Sequence, residues 1–196
     1  MTQEQLAKNE DVVLKLIEKY VTSDRKDKLI SMLNTIGKQY FTAPASRRKS
    51  HHSAFTGGLT EHAIKMTKNM FVIAEALDKN ISKESLLIVG LFHDLGKATT
   101  ADGLDVFVYN ESDWHRDKLG EMYKLNDKIR DGLTHAQRSI RLLLHYGINV
   151  TDDEFQAILF HDGQYVEENK SVKNKESKLL LITHYSDMWT SHIEEV

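Results

Sequence analysis

Ser85-Leu-Leu-Ile-Val-Gly-Leu-Phe-His-Asp-Leu-Gly-Lys97 is the stretch whose reading decides the fold. From Ser85 to Leu95 it is apolar except for Ser85 and the pair His93-Asp94, so it reads as a helix running through a core. An imidazole and a carboxylate side by side at the end of such a helix cost several kcal/mol to bury unless something satisfies them. A metal ion would do so, taking the ring nitrogen and the carboxylate oxygen as ligands.

The chain on either side keeps the same helical period. Its one proline, Pro44, leaves almost nothing that forbids helix. Apolar stripes predict helices over 3–21 and 25–40. Gly57-Gly58 marks a turn, and Thr60 is the expected cap of a helix to about Leu77, with Ile64, Met70, Val72, Ile73 and Ala76 facing inward. Ser82 caps the helix that carries His93-Asp94, and three more helices follow over 133–146, 151–160 and about 176–193. Residues 105–109 and 121–124 read as the strands of a β-hairpin, with the polar loop 111–120 between them. The Lys/Glu/Asn stretch 167–178 reads as a solvated linker, and Arg138 and Arg141 as solvated helix residues. The expected fold is all-α, a single helical bundle with a small β-hairpin insertion around 104–124. Residues 1–48 form a helical pair, as a lobe or a dimer surface, and 49–196 form the main domain.

Composition limits the function. The chain has 196 residues, 40% hydrophobic and 28% charged, which suits a globular domain. A net charge of −3 makes no global case for duplex nucleic-acid binding. The absence of cysteine removes disulfides, thiolate metal sites and thiol nucleophiles. No apolar run approaches a membrane span and the first residues lack the pattern of a secretion signal, so a cytoplasmic protein without a membrane partner is expected. Ten histidines give a generous supply of nitrogen ligands.

Those ligand types interrupt apolar helices at His62, His93-Asp94, His135, His161-Asp162 and Asp187. A bundle that converges five such helices would build a buried polar pocket suited to metal. The order His62, His93-Asp94, His135, His161, Asp187 resembles the HD-domain superfamily of metal-dependent phosphohydrolases. Gly-Gly-Leu-Thr-Glu-His (57–62) is similar to the start of the HD domain in certain 3′–5′ exoribonucleases, and His-Asp-Leu-Gly-Lys (93–97) to the widespread form of the central motif. The resemblance spans about 50–192.

It implies an HD-type bundle in which His62, His93, Asp94 and Asp187 hold one metal. Asp94 would bridge to a second ion held by His135 and His161; with His135 facing solvent the site would hold one ion. All-nitrogen and oxygen ligands suit Mn²⁺, Fe²⁺, Co²⁺, Ni²⁺ or Zn²⁺ better than Mg²⁺. Two such ions clamp a phosphoryl group and lower the pKa of a shared water. Asp94 and Lys97 are the expected catalytic pair, Lys97 neutralising phosphate unless it is simply solvated. His52, Trp114, Arg116 and Lys118 are candidates for substrate binding, Trp114 to stack a base and the cations to hold phosphate, unless the loop is only a structural hairpin. His184, on the same helical face as Asp187, is a supporting or core residue before it is a ligand.

The implied activity is hydrolysis of a phosphoester in a nucleotide or related small molecule, with a homo-oligomer compatible. The alternatives are a nucleotide sensor without turnover and a 3′–5′ exonuclease on single-stranded nucleic acid. The acidic charge and lack of an added nucleic-acid-binding domain disfavour the exonuclease.

Overall fold

Side-chain caps fix where most of the helices begin. The computed structural model describes residues 1–195, so Val196 of the expected second unit lies outside the described residues. In chain order they form α1 (Gln3–Tyr20), α2 (Arg25–Thr42), α3 (Gly58–Leu77), α4 (Lys83–Phe92), β1 (Phe107–Tyr109), α5 (Asp113–Leu119), β2 (Tyr123–Leu125), α6 (His135–His145), α7 (Asp152–Leu159) and α8 (Lys178–Trp189). Thr2, Thr134 and Thr151 each close a reciprocal box with the residue three on, at the starts of α1, α6 and α7. Ser82 and Ser177 cap α4 and α8 through one hydroxyl bond each.

The fold is mostly helical with a small two-stranded antiparallel sheet. β1 and β2 pair with Phe107 opposite Leu125 and Tyr109 opposite Tyr123. The expected loop between them is instead the helix α5. Ser112 caps it, Asp113 opens its first turn, Arg116 and Lys118 close its last, and Gly120 ends it in the left-handed region at φ 64°. The hairpin docks on the segment before α3: Lys49 N–H donates to Gly120, Tyr123 N–H donates to Arg47, and Arg48 pairs with Glu121 at 2.6 Å.

Two other expectations are corrected. α3 starts at Gly58, not after Thr60. Gly57 caps it at φ 84°, and a Cβ on Gly58 would lie 2.0 Å from the Ser53 carbonyl oxygen, so the chain turns tightly where only glycine fits. Thr60 sits inside α3, its hydroxyl donating to the Tyr40 carbonyl at 2.9 Å. The buried face of α3 is Leu59, Ala63, Met66, Met70 and Ala74, whereas Val72 is 62% exposed and Ala76 faces outward. Residues 167–178 are not a simple linker either: Glu167–Val172 is a 3-10 helix that buries Asn169 and Val172.

Buried side chains from Val13 of α1 to Ile182 of α8 form one hydrophobic cluster. Tyr40 of α2 reaches across it to donate to the Leu91 carbonyl of α4 at 2.6 Å. Arg25 of α2 ties α4 and α7 together, 2.6 Å from Glu84 and 2.7 Å from the fully buried Glu154. No helix among the described residues is long and apolar enough to cross a membrane.

Candidate metal centre

His93 and His161 are placed by the same local device. Each follows the end of an apolar helix and turns its Nδ1–H back onto the carbonyl three residues earlier, His93 to Gly90 at 3.1 Å and His161 to Ile158 at 2.8 Å. A carbonyl only accepts, so Nδ1 carries the proton and Nε2 faces the centre. Asp94 follows His93 and opens the 3-10 turn Leu95–Lys97. α6 lies directly on that turn. A Cβ on Gly96 would stand 2.1 Å from the His135 carbonyl oxygen, and Ser139 Oγ accepts from the Gly96 N–H at 2.8 Å. Arg138 is buried rather than solvated: it pairs with Asp131 and donates to the Gly96 carbonyl at 3.1 Å, locking α6 in place.

The result is a continuous row of imidazoles. Ring centroids run His52–His62 at 4.8 Å, His62–His93 at 5.6 Å, His93–His161 at 4.8 Å and His161–His135 at 5.1 Å. Carboxylates flank the row. Asp187 Oδ1 lies 3.2 Å from His62 Nε2, and Asp94 Oδ1 lies 3.4 Å from Nε2 of both His135 and His161. Asp94 Oδ2 is 3.5 Å from His93 Nε2 and accepts from Lys97 Nζ at 2.6 Å. Four overlapping ligand groups follow: His62, His93 and Asp187; His93, Asp94 and His161; His135, His161 and Asp162; His52, His62 and Glu195, each with ligand atoms within 4.8 Å of one another.

These residues fit a divalent cation. Among the described residues, His52 Nε2, His62 Nε2, His93 Nε2 and Asp94 Oδ1 are buried without a hydrogen-bond partner, although the structure satisfies most other buried polar side chains. Nitrogen donors converging with carboxylate oxygens, with no sulfur, are the ligand chemistry of first-row divalent ions.

Protonation tells the same story. Burial disfavours the His62 cation, but the Asp187 and Glu195 carboxylates beside it outweigh that and raise it to about 9. His161 is likewise opposed by burial and raised to about 9 by Asp162 and Asp94. Burial pushes His52 and His135 down to about 4, with the His62 cation adding to the effect at His52 and the Lys97 ammonium at His135. Burial would raise the Asp94 and Asp187 carboxyls, yet Lys97 and His93 beside the first, and His62 beside the second, hold both well below the usual range. Positive charge is thus already drawn into the place a cation would occupy.

All six sequence-predicted ligands, His62, His93, Asp94, His135, His161 and Asp187, meet here, and Lys97 and His52 join them. A cavity of about 460 Å³ opens beside them, lined by Ser50, His51, His52, His161, Asp162, His184, Asp187, Met188, Ser191 and His192. Trp114, Arg116 and Lys118 are not in that lining. Trp114 is 59% exposed on α5, Arg116 bonds to Asp113 and the Asn110 carbonyl over the Tyr109 ring, and Lys118 is exposed. His184 supports the centre, its Nδ1 lying 2.9 Å from the His161 carbonyl oxygen.

Two further carboxylates join: Asp162, which the sequence reading noted beside His161 but did not place in either ion's ligand set, and Glu195, which it did not name. Asp162 Oδ2 is 3.4 Å from His135 Nε2; the second His-Asp pair, 161–162, was its signal. Glu195 Oε2 is 3.1 Å from His62 Nδ1 and had none, since no local motif sets Glu194-Glu195 apart from other charged pairs.

Compared with known proteins, the chain matches no family model, no curated protein and no solved structure. Fold and site therefore define the protein by themselves: a mostly helical protein whose buried His/Asp groups could hold a metal ion.

Proposed function

We propose that the chain is a metal-dependent phosphohydrolase of the HD type, cleaving a phosphoester of a nucleotide or related small molecule. The observation that carries this reading is Asp94, one carboxylate with an oxygen toward each half of the imidazole row. Divalent ions bound there would supply Lewis acidity, polarising the phosphoryl group and activating water.

The chain's own residues do the rest. His62, His93, Asp94 and Asp187 would hold one ion, and Asp94, His135 and His161 a second, with Asp162 within reach. The Nδ1–H bonds of His93 and His161 keep both rings in the ligating orientation. Lys97, only 16% exposed at its side chain, brings fixed positive charge for a phosphate oxygen. The cavity volume lies in the range for a small-molecule ligand, which favours a nucleotide-sized substrate over a nucleic-acid strand.

The test is purified protein loaded with Mn²⁺ and offered a panel of nucleotides, cyclic nucleotides and model phosphoesters. Phosphate release or ester cleavage that His93→Ala and Asp94→Ala abolish is the expected result. A metal-loaded protein that turns over nothing in the panel would sink the proposal in favour of a sensor.

A further inference from the structure

Each ring nitrogen of His62 faces a carboxylate. Nε2 faces Asp187 and His93, and Nδ1 meets Glu195 Oε2 at 3.1 Å. The Glu195 carboxylate is 2% exposed at its side chain, and its other oxygen accepts from Lys65 Nζ at 3.2 Å. Lys65 lies three residues along α3 from His62 and also pairs with Glu61 at 2.7 Å. The carboxylate is therefore charge-compensated and held at one distance from the ring.

The backbone that delivers Glu195 is a π-helical turn, Thr190–Glu194, following α8. That turn is clamped onto α3: Asn69 Nδ2 donates to Thr190 Oγ1 at 3.0 Å and to Glu194 Oε1 at 3.2 Å, and Glu195 N–H closes onto the Thr190 carbonyl at 3.1 Å. A surface acid would need none of this. His93 and His161 have their Nδ1–H satisfied by backbone carbonyls of their own helices, but His62 lies inside α3, where those carbonyls are committed to the helix. Its ring needs an acceptor from elsewhere.

We propose that Glu195 is a positioning residue that fixes His62 with the proton on Nδ1 and presents Nε2 to a divalent cation shared with His93 and Asp187. The inference rests on the metal-centre reading above. A carboxylate behind a ligating histidine orients the ring and raises its basicity, and losing such a partner typically weakens metal binding about 10- to 100-fold.

The experiment titrates Zn²⁺ into wild type, Glu195→Gln and Glu195→Ala by calorimetry, and records the imidazole N–H spectrum of His62 with and without Zn²⁺. Glu195→Ala should lose about 10- to 100-fold in Zn²⁺ affinity. Glu195→Gln, whose amide oxygen can still accept, should recover most of the loss. The Zn²⁺-loaded wild type should show a slowly exchanging His62 Nδ1–H that disappears in Glu195→Ala. Wild-type affinity in Glu195→Ala overturns the role of Glu195 alone. So does a loaded wild type with its His62 proton on Nε2, a measurement that stands even where the alanine variant does not fold. A wild type that takes up no Zn²⁺ overturns the metal-centre reading itself, and this inference with it.

Discussion

Asp94 has neighbours on two sides, and those neighbours are unequal. His93 is fully buried and serves two of the ligand groups, whereas the His135 side chain is 27% exposed and serves one. Replacing His93 with alanine should therefore remove metal altogether. His135→Ala should leave one ion and lower the metal content from two per chain to one, read by elemental analysis after gel filtration. An unchanged metal content in His135→Ala would show that its ring is no ligand. The six residues at stake stood out in the sequence for a physical reason: His62, His93-Asp94, His135, His161 and Asp187 interrupt apolar runs, where an unpaired polar group is expensive. Asp162 and Glu195 were harder to read because a carboxylate at a helix end is ordinarily a solvated or capping group. Their part in the site depends on which helices come together, which local sequence does not encode.

At the scale of elements, the contact between α6 and the turn Leu95–Lys97 sets the spacing of Asp94 and His135. The alanine methyl of Gly96→Ala would meet backbone on α6, which cannot swing aside as a side chain can. That variant should lose about 2–3 kcal/mol in urea unfolding, in the range of overpacked cores. It should also weaken the second metal more than the first. Arg138→Met removes the clamp from the other side and leaves Asp131 and the Gly96 carbonyl without their partner; a loss of similar size is expected by the same measurement. Elements were legible where a cap and periodicity agreed, as at Ser82. α3 was expected as a helix, but its inward face was misassigned because 64–77 is apolar on too many sides for periodicity to fix its phase, leaving Val72 outside. α5 escaped because a helix of seven residues carries little periodic signal and is announced chiefly by Ser112 and Gly120.

At the scale of the whole molecule, four histidines of the centre form two pairs with opposite pH behaviour. His62 and His161 sit at about 9 against an ordinary 6.5, so the folded state holds protons that the unfolded chain releases between those values. Their contribution to stability is complete below about 6.5 and is lost as the pH rises through about 9. His52 and His135, lowered to about 4, contribute fully above 6.5 and lose that contribution as the pH falls towards 4. Metal-free protein should therefore show its highest urea midpoint near neutral pH and decline on both sides. Because a cation must displace the protons of His62 and His161, apparent Mn²⁺ affinity should rise from pH 6 to pH 9, and saturating metal should remove the alkaline decline. A flat affinity across that range would contradict the assignment of both rings as ligands. The bond from His62 to Glu195 joins residues 133 positions apart and has a further consequence. A chain cut or stalled before Asp187 keeps α1 to α4 and the His93-Asp94 pair, yet it lacks one whole side of the His62 pocket. The other two ligand groups, His93, Asp94 and His161, and His135, His161 and Asp162, keep all their members in such a fragment, so truncation would strip the carboxylates from the His62 end of the row alone.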